Sequence, residues 1–297
     1  MQSHSNAQAI AWVTLGTALF SLIYASGKFA AGSASPFQIL FLRYVGGLIA
    51  LLAVVYVRGG ELRSFRSAHP FSHLQRALFG AFGGGALIYS SANMPIVDAT
   101  ALGLLYVVFV IPLGVVAFKE RVSAPQLAAI VLCSIGAAAI MASRGAFSEF
   151  RQSYLFPAAI AALGAALLAG EGLMIKKLAD VDRPITVLLY VNVFGVALMG
   201  LSAILAWREI SWRHVAAFML LGPVAVAAQY CIVRGYRMAA LSIVGPVDYA
   251  WLIFAGMIGF FFFGEQPTYG VVMGAGVIAL GGVLLALASD KPATNDA

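Results

Sequence analysis

The chain is 297 residues long, 62% hydrophobic and only 10% charged, with a net charge of +6. Soluble domains carry roughly 25% charged residues, and a wetted surface cannot be built from so little polar side chain, so a water-soluble globular protein is excluded. The basic excess is not a nucleic-acid footprint, because it sits mainly in short loops between apolar blocks, where it sets orientation in a bilayer.

The apolar residues come in blocks of about twenty, enough to cross a hydrocarbon layer of roughly 30 Å. Charges, prolines and polar clusters divide them into ten predicted spans, at about 9–28, 36–57, 77–95, 99–118, 123–143, 154–175, 184–206, 213–233, 240–263 and 267–288. No Lys or Arg precedes Lys28, and the first block is long enough to span, so it is read as a helix and not as a cleavable signal. On the N-terminal side of the membrane the loops hold twelve basic residues: Arg58, Arg63, Arg66, Arg76, Lys119, Arg121, Lys176, Lys177, Arg183, Arg234, Arg237 and Lys291. The other side holds five, Lys28, Arg144, Arg151, Arg208 and Arg213, and Arg43 lies within a span. By the positive-inside rule both termini are cytoplasmic, in a multi-pass protein of the bacterial inner membrane.

The two halves repeat. A shift of 148 residues pairs Gly16 with Gly164, Lys28 with Lys176, Pro36 with Pro184 and Gly47 with Gly195; a shift of 145 pairs Gly114 with Gly259, Phe118 with Phe263, Glu120 with Glu265 and Gly136 with Gly281. The expected repeats are 9–143 and 154–288. Each holds five spans, an odd number, so the second enters the membrane inverted. Inverted repeats with a site at their interface mark secondary transporters.

Four segments carry a family resemblance: FLRYVGG at 41–47, LQRALFGAFGG at 74–84, FKERVSAPQLAA at 118–129 and GPVDYAWLIFAGMIGFFFFGEQPT at 245–268. With the doubled E-x-x-[ST] of Glu120/Ser123 and Glu265/Thr268, the chain resembles the drug/metabolite transporter superfamily, the ten-span EamA type, from about residue 9 to 288. The second-span arginine and the LQR are similar to the branch that includes riboflavin and S-adenosylmethionine transporters. The resemblance implies an all-α membrane fold of two inverted five-helix EamA repeats. Its cavity is lined by spans one to four and six to nine, with spans five and ten peripheral.

Charges inside spans are the functional candidates. Arg43 lies seven residues past Pro36, about 10 Å into the membrane. A charge there costs ~2.5–3.5 kcal/mol on insertion scales, so it needs a partner or a watered cavity. It reads either as a clamp for a substrate carboxylate or phosphate or as an ion pair with Asp248. Asp248, about 12 Å into the ninth span and flanked by Pro246, Tyr249 and Trp251, reads as a proton-coupling carboxylate, an ammonium site or a salt-bridge partner. Glu171 is the second coupling candidate, or snorkels. Tyr89, Asn93, Tyr106, Tyr190, Asn192 and Gln229 are candidate substrate-binding residues, their rings suited to stacking on a planar solute, or ordinary packing and interface-belt residues.

Arg76, Arg234 and Arg237 read as interface anchors at span mouths, or as charges that draw anions in. Glu120 and Glu265 read as structural, beside the Ser123–Gln126 capping box. Pro112 and Pro246 mark candidate hinges in spans four and nine. Gly270 and Gly274 form a G-x-x-x-G, suited to close packing and to a homodimer through span ten.

The rival classes fit less well. The one Gly-Lys, Gly27-Lys28, is followed by Phe29, so no P-loop is present. An intramembrane enzyme would need His or Ser constellations within spans, whereas His4, His69, His73 and His214 lie in loops or at span ends. His69 and His73 have helical spacing but no third metal ligand. Cys133 and Cys231 lie in apolar segments and read as structural, and no cofactor is implied. A purely structural membrane protein would not need Arg43 and Asp248. Two directions fit the same cavity: uptake of a riboflavin- or S-adenosylmethionine-like cofactor, and export of amino acids or drugs.

Overall fold

Proline and capping residues set where the helices begin. Ser35 accepts the Gln38 N–H at 3.2 Å and Pro36 opens helix α2 (Pro36–Val57), a position where proline's missing N–H costs nothing. Before it runs α1 (Ser3–Phe29). Ser123 and Gln126 close the expected capping box at the start of α6 (Ala124–Ser143). The computed structural model describes residues 3–29, 34–94, 96–148, 151–264 and 266–289, so Glu265 and Lys291 lie outside the described residues. Among the described residues there is no strand.

The third span differs from the expectation of 77–95: α3 runs from Pro70 to Asn93. Nine spans among the described residues are long and apolar enough to cross a bilayer, and α3 is not one of them. At 24 residues it has the length; its hydropathy is lowered by His73, Gln75, Arg76 and Asn93, and the first three hid its start.

The fourth span is broken. α4 (Ile96–Gly103) and α5 (Leu105–Phe118) meet at Leu104, eight residues before Pro112, where the sequence placed the hinge. Pro112 lies within α5, which continues through it. The sixth to eighth spans are α7 (Leu155–Val181), α8 (Pro184–Leu205) and α9 (Trp212–Met238). The ninth is broken too: α10 (Leu241–Val244) passes through a 3₁₀ turn over Gly245–Tyr249, containing Pro246, into α11 (Ala250–Phe263); α12 (Tyr269–Ser289) is last.

The repeat is visible in these bounds. α4 and α10, α5 and α11, and α6 and α12 each begin 145 residues apart, and α2 and α8 begin 148 apart. Lys119 (φ 54°) and Gly264 (φ 66°), also 145 apart, both end their helices in the left-handed conformation. Packing follows the same exchange. α3 lies on α7 as α9 lies on α1, α5 on α7 as α11 on α1, and α3 on α8 as α9 on α2. α2 packs on α8 and α6 on α12, each pair mapping onto itself. This is the all-α fold of two inverted five-helix repeats, with α6 and α12 set against each other.

Small residues let these helices meet, as expected where lipid is as apolar as the side chains. A Cβ on Gly46 would stand 2.0 Å from the Met219 carbonyl oxygen, and one on Gly222 2.1 Å from the Gly47 nitrogen, so α2 and α9 touch backbone to backbone. In α12, Gly274 would meet Ile140 at 2.6 Å and the Gly136 oxygen at 2.7 Å, and Gly270 would meet Ser143 at 2.4 Å. The G-x-x-x-G face is thus occupied by α6 of the same chain, the close packing expected of it.

Candidate functional site

Three polar groups from three helices converge within the membrane. Arg76 is six residues into α3, and Glu171 and Gln229 lie ten and nine residues before the ends of α7 and α9. These helix ends share one face, so the groups sit about 9–15 Å inside it. Arg76 is only 1% exposed. Its Nη2 donates to Gln229 Oε1 at 3.3 Å, and its Nε lies 3.9 Å from Glu171 Oε1. Gly80, one turn above Arg76, makes room for the carboxylate: a Cβ there would stand 2.8 Å from Glu171 Oε2. Arg43, 8% exposed on α2, lies near enough for its charge to act on Glu171 as well. Arg43 does not pair with Asp248: its guanidinium lies over the Tyr44 ring, 4.7 Å from the centroid.

The interface-anchor reading of Arg76 is therefore corrected. It followed from starting the third span at 77; with α3 beginning at Pro70 the arginine is nearly two turns inside. Glu171, whose snorkelling was one reading, instead faces Arg76, while Lys176 pairs with Asp180 at 3.2 Å. Glu171 also lines a narrow cavity with Tyr44, Ala77, Gly80, Val191 and Gly195. Its volume, about 10 Å³, is at the threshold for a single water.

A second group surrounds Asp248 in the 3₁₀ turn. Thr17 of α1 donates to its Oδ1 at 2.9 Å, and the Tyr106 hydroxyl, just past the break in the fourth span, donates to its Oδ2. Tyr249, 3% exposed, shares a hydrogen bond with Ser134, and Trp251 packs beside it against the apolar cluster between α5, α6 and α12. Tyr236 of α9 is buried, 3% exposed, within reach of the charges of both groups.

A third group lies at the helix ends. Asp182 accepts from Ser67 Oγ at 2.6 Å and pairs with His73 Nε2 at 2.9 Å; the His73 ring stacks on Tyr190, 4.3 Å between centroids. Ser67 and His73 both bond the carboxylate and not each other, so this is no nucleophilic triad. It ties the loop after α2 to the α7–α8 corner; no metal-holding cluster occurs among the described residues.

The remaining candidates divide. Asn192 is buried on α8, donating to the Leu188 carbonyl and facing Gly47. Tyr89 and Asn93 are exposed near the far end of α3, and the structure brings them to none of the three groups. Glu120 is structural, through a partner no local signal shows: its two carboxylate oxygens accept the Leu241 and Ser242 N–H groups at 2.6 and 2.8 Å, holding the start of α10 across the repeat interface. Toward the face where α1 begins, Val13, Val110, Leu178, Val187, Val233 and Leu241 form a fully buried apolar seal from six helices.

The model of the EamA-like transporter family matches residues 7–142 and 156–287. A riboflavin transporter of Rhizobium johnstonii is 28% identical over 273 residues, 90% of this chain and 87% of the relative. An S-adenosylmethionine uptake transporter of Rickettsia felis is 22% identical, over 96% and 94% of the two chains. A pseudopaline exporter of Pseudomonas aeruginosa is 24% identical, over 91% and 93%. A solved crystal structure, 19% identical, superposes with a TM-score of 0.79 over 98% of this chain and 100% of its own, which speaks to the fold alone. With two matching repeats and buried charges at their interface, the chain belongs to the EamA-like transporter family and is a multi-pass membrane transporter, not an enzyme.

Proposed function

We propose that this protein is a secondary transporter that moves a small organic metabolite across the bacterial inner membrane by alternating access, with its substrate held at the Arg43–Arg76–Glu171–Gln229 group. The observation that carries this reading is the nearly complete burial of Arg76 within the membrane, against a carboxylate and an amide from two helices of the other half. Intramembrane charge is expensive and marks a substrate or ion path. Sites for small organic ligands measure roughly 300–1,000 Å³, far more than the cavity beside Glu171. Loading therefore requires α2 and α3 to part from α7 and α8, while the apolar seal, to which α7 and α8 contribute, stays closed. The breaks at Leu104 and Gly245–Tyr249 supply the hinges.

The leading substrate is a riboflavin- or S-adenosylmethionine-like cofactor, supported by the named activities of the similar transporters. Export of an amino acid or drug is the alternative, supported by the pseudopaline exporter's name. Asp248 is assigned to proton coupling, because its two bonds come from neutral hydroxyls that serve the carboxylate and, by turning, its protonated form. The repeats are assigned to 9–143 and 154–288, with both termini cytoplasmic.

The test is thermal stability of the purified protein in detergent against flavins, adenosine-based cofactors, amino acids and cationic drugs, followed by uptake into proteoliposomes of whichever stabilises. A ligand at a hundred times its Kd adds about 2.7 kcal/mol. A stabilising ligand that is carried supports the reading, and one that binds without being carried refutes it.

A further inference from the structure

The Arg76 guanidinium is underused by its own protein. It is 1% exposed, yet Nε and Nη1 have no hydrogen-bond partner among the described residues, and neither has Nε of Arg43. Glu171 does not fill the gap: at 3.9 Å its oxygen is beyond hydrogen-bond distance of Nε. Buried guanidinium donors left unmatched are costly, and their planar fork fits a two-oxygen acceptor. The charges do not balance either: Arg43 and Arg76 face one carboxylate, and among the described residues the only other side chain bonded to Arg76 is the neutral Gln229. Glu171 is also the more accessible member of the pair, 22% exposed against 1%, and it lines the narrow cavity.

We infer that the transported substrate carries an oxyanion, a carboxylate or a phosphate, which binds Arg76 in place of Glu171. This rests on the transport reading of the same site and narrows its substrate class: of the two leading substrates, S-adenosylmethionine carries a carboxylate, whereas riboflavin carries no oxyanion and is disfavoured. Glu171 then acts as a resident counter-ion: it keeps the empty site from holding two uncompensated cations, and it yields when a better-fitting acceptor arrives. Removing it should tighten oxyanion binding, an effect opposite to that of deleting a contact residue.

The experiment is a titration of the purified full chain with acetate and with inorganic phosphate, at constant ionic strength set with chloride, reading thermal stability. Wild type, Arg76→Gln, Glu171→Gln and the double variant are compared; the double variant has no unpaired charge at this pair and remains folded if a single variant does not. Expected are a saturable stabilisation of wild type, a midpoint roughly tenfold lower in Glu171→Gln, and no stabilisation in Arg76→Gln or the double variant. Stabilisation by acetate alone assigns the carboxylate, and by phosphate alone the phosphate. A response that survives Arg76→Gln, a Glu171→Gln midpoint equal to or above wild type, or no response in any variant overturns the inference. Metabolite uptake into proteoliposomes is measured alongside: uptake with none of these anion effects leaves the transport reading standing and removes this one, and absence of uptake removes the transport reading.

Discussion

The fourth and ninth spans are the same structure twice, with different chemistry at the break. α5 and α11 begin 145 residues apart and end 145 apart, at Phe118 and Phe263. At the break, 145 residues apart, one carries Gly103 and the other Asp248. Arg76 and Glu171 likewise have no charged counterpart at the repeat shifts, whereas the left-handed helix ends at Lys119 and Gly264 do repeat. What repeats is the means of folding: caps, glycine contacts and breaks. What does not repeat is the charge within the spans, although Lys28/Lys176 and Glu120/Glu265 at the span ends do. A transporter needs two equivalent gates but one site, and the halves differ where a site would be.

The largest effect should come from Asp248→Asn, the change that makes the ninth-span break as uncharged as the fourth. It should abolish dependence of uptake on a pH gradient while leaving the fold intact, because the asparagine oxygen still accepts from one of the two hydroxyls of Thr17 and Tyr106 and its NH2 donates to the other once that hydroxyl turns. Coupling retained at wild-type strength, measured in proteoliposomes with and without an imposed gradient, would remove Asp248 from that role. On the scaffold side, Gly46→Val forces α2 away from the Met219 carbonyl, and overpacking of this kind costs about 1–3 kcal/mol. It should lower the melting temperature and impair transport together. Glu120→Ala removes the acceptor for two N–H groups at the start of α10, a loss of about 0.5–2 kcal/mol by analogy with caps, visible as reduced thermal stability with binding preserved. Tyr106→Phe is the mildest, about 1 kcal/mol for one hydrogen bond. Its signature should be a shifted pH profile of uptake and not a loss of protein.

The scaffold was legible because its signals are local. Blocks of twenty apolar residues, proline at helix starts and the Ser123 capping box each act within one or two turns, and the structure has helices where they point. Three features were hidden for physical reasons. Arg76 looked like an anchor because the polar residues that open α3 lower its hydropathy, so the helix start was set seven residues late. The break at Leu104 has no proline to announce it, whereas Pro112 lies within a continuous helix. Glu120 bonds residues about 120 positions away, and no periodicity reports such a contact. Of the candidate site, Gln229 and Glu171 meet through Arg76, and Asp248 meets Tyr106. Tyr89 and Asn93, chosen because they are polar residues in a span, lie near its exposed end, where polarity needs no function to explain it.

The account depends on Arg76 being the working charge of the site and not a structural relic. The most direct measurement is uptake into proteoliposomes by Arg76→Gln and wild type, at matched thermal stability, of the ligand that stabilises the wild type. One charge-assisted hydrogen bond contributes about 1.5–3 kcal/mol, so uptake should fall by roughly ten- to a hundredfold. Wild-type kinetics in a folded Arg76→Gln protein would contradict the account.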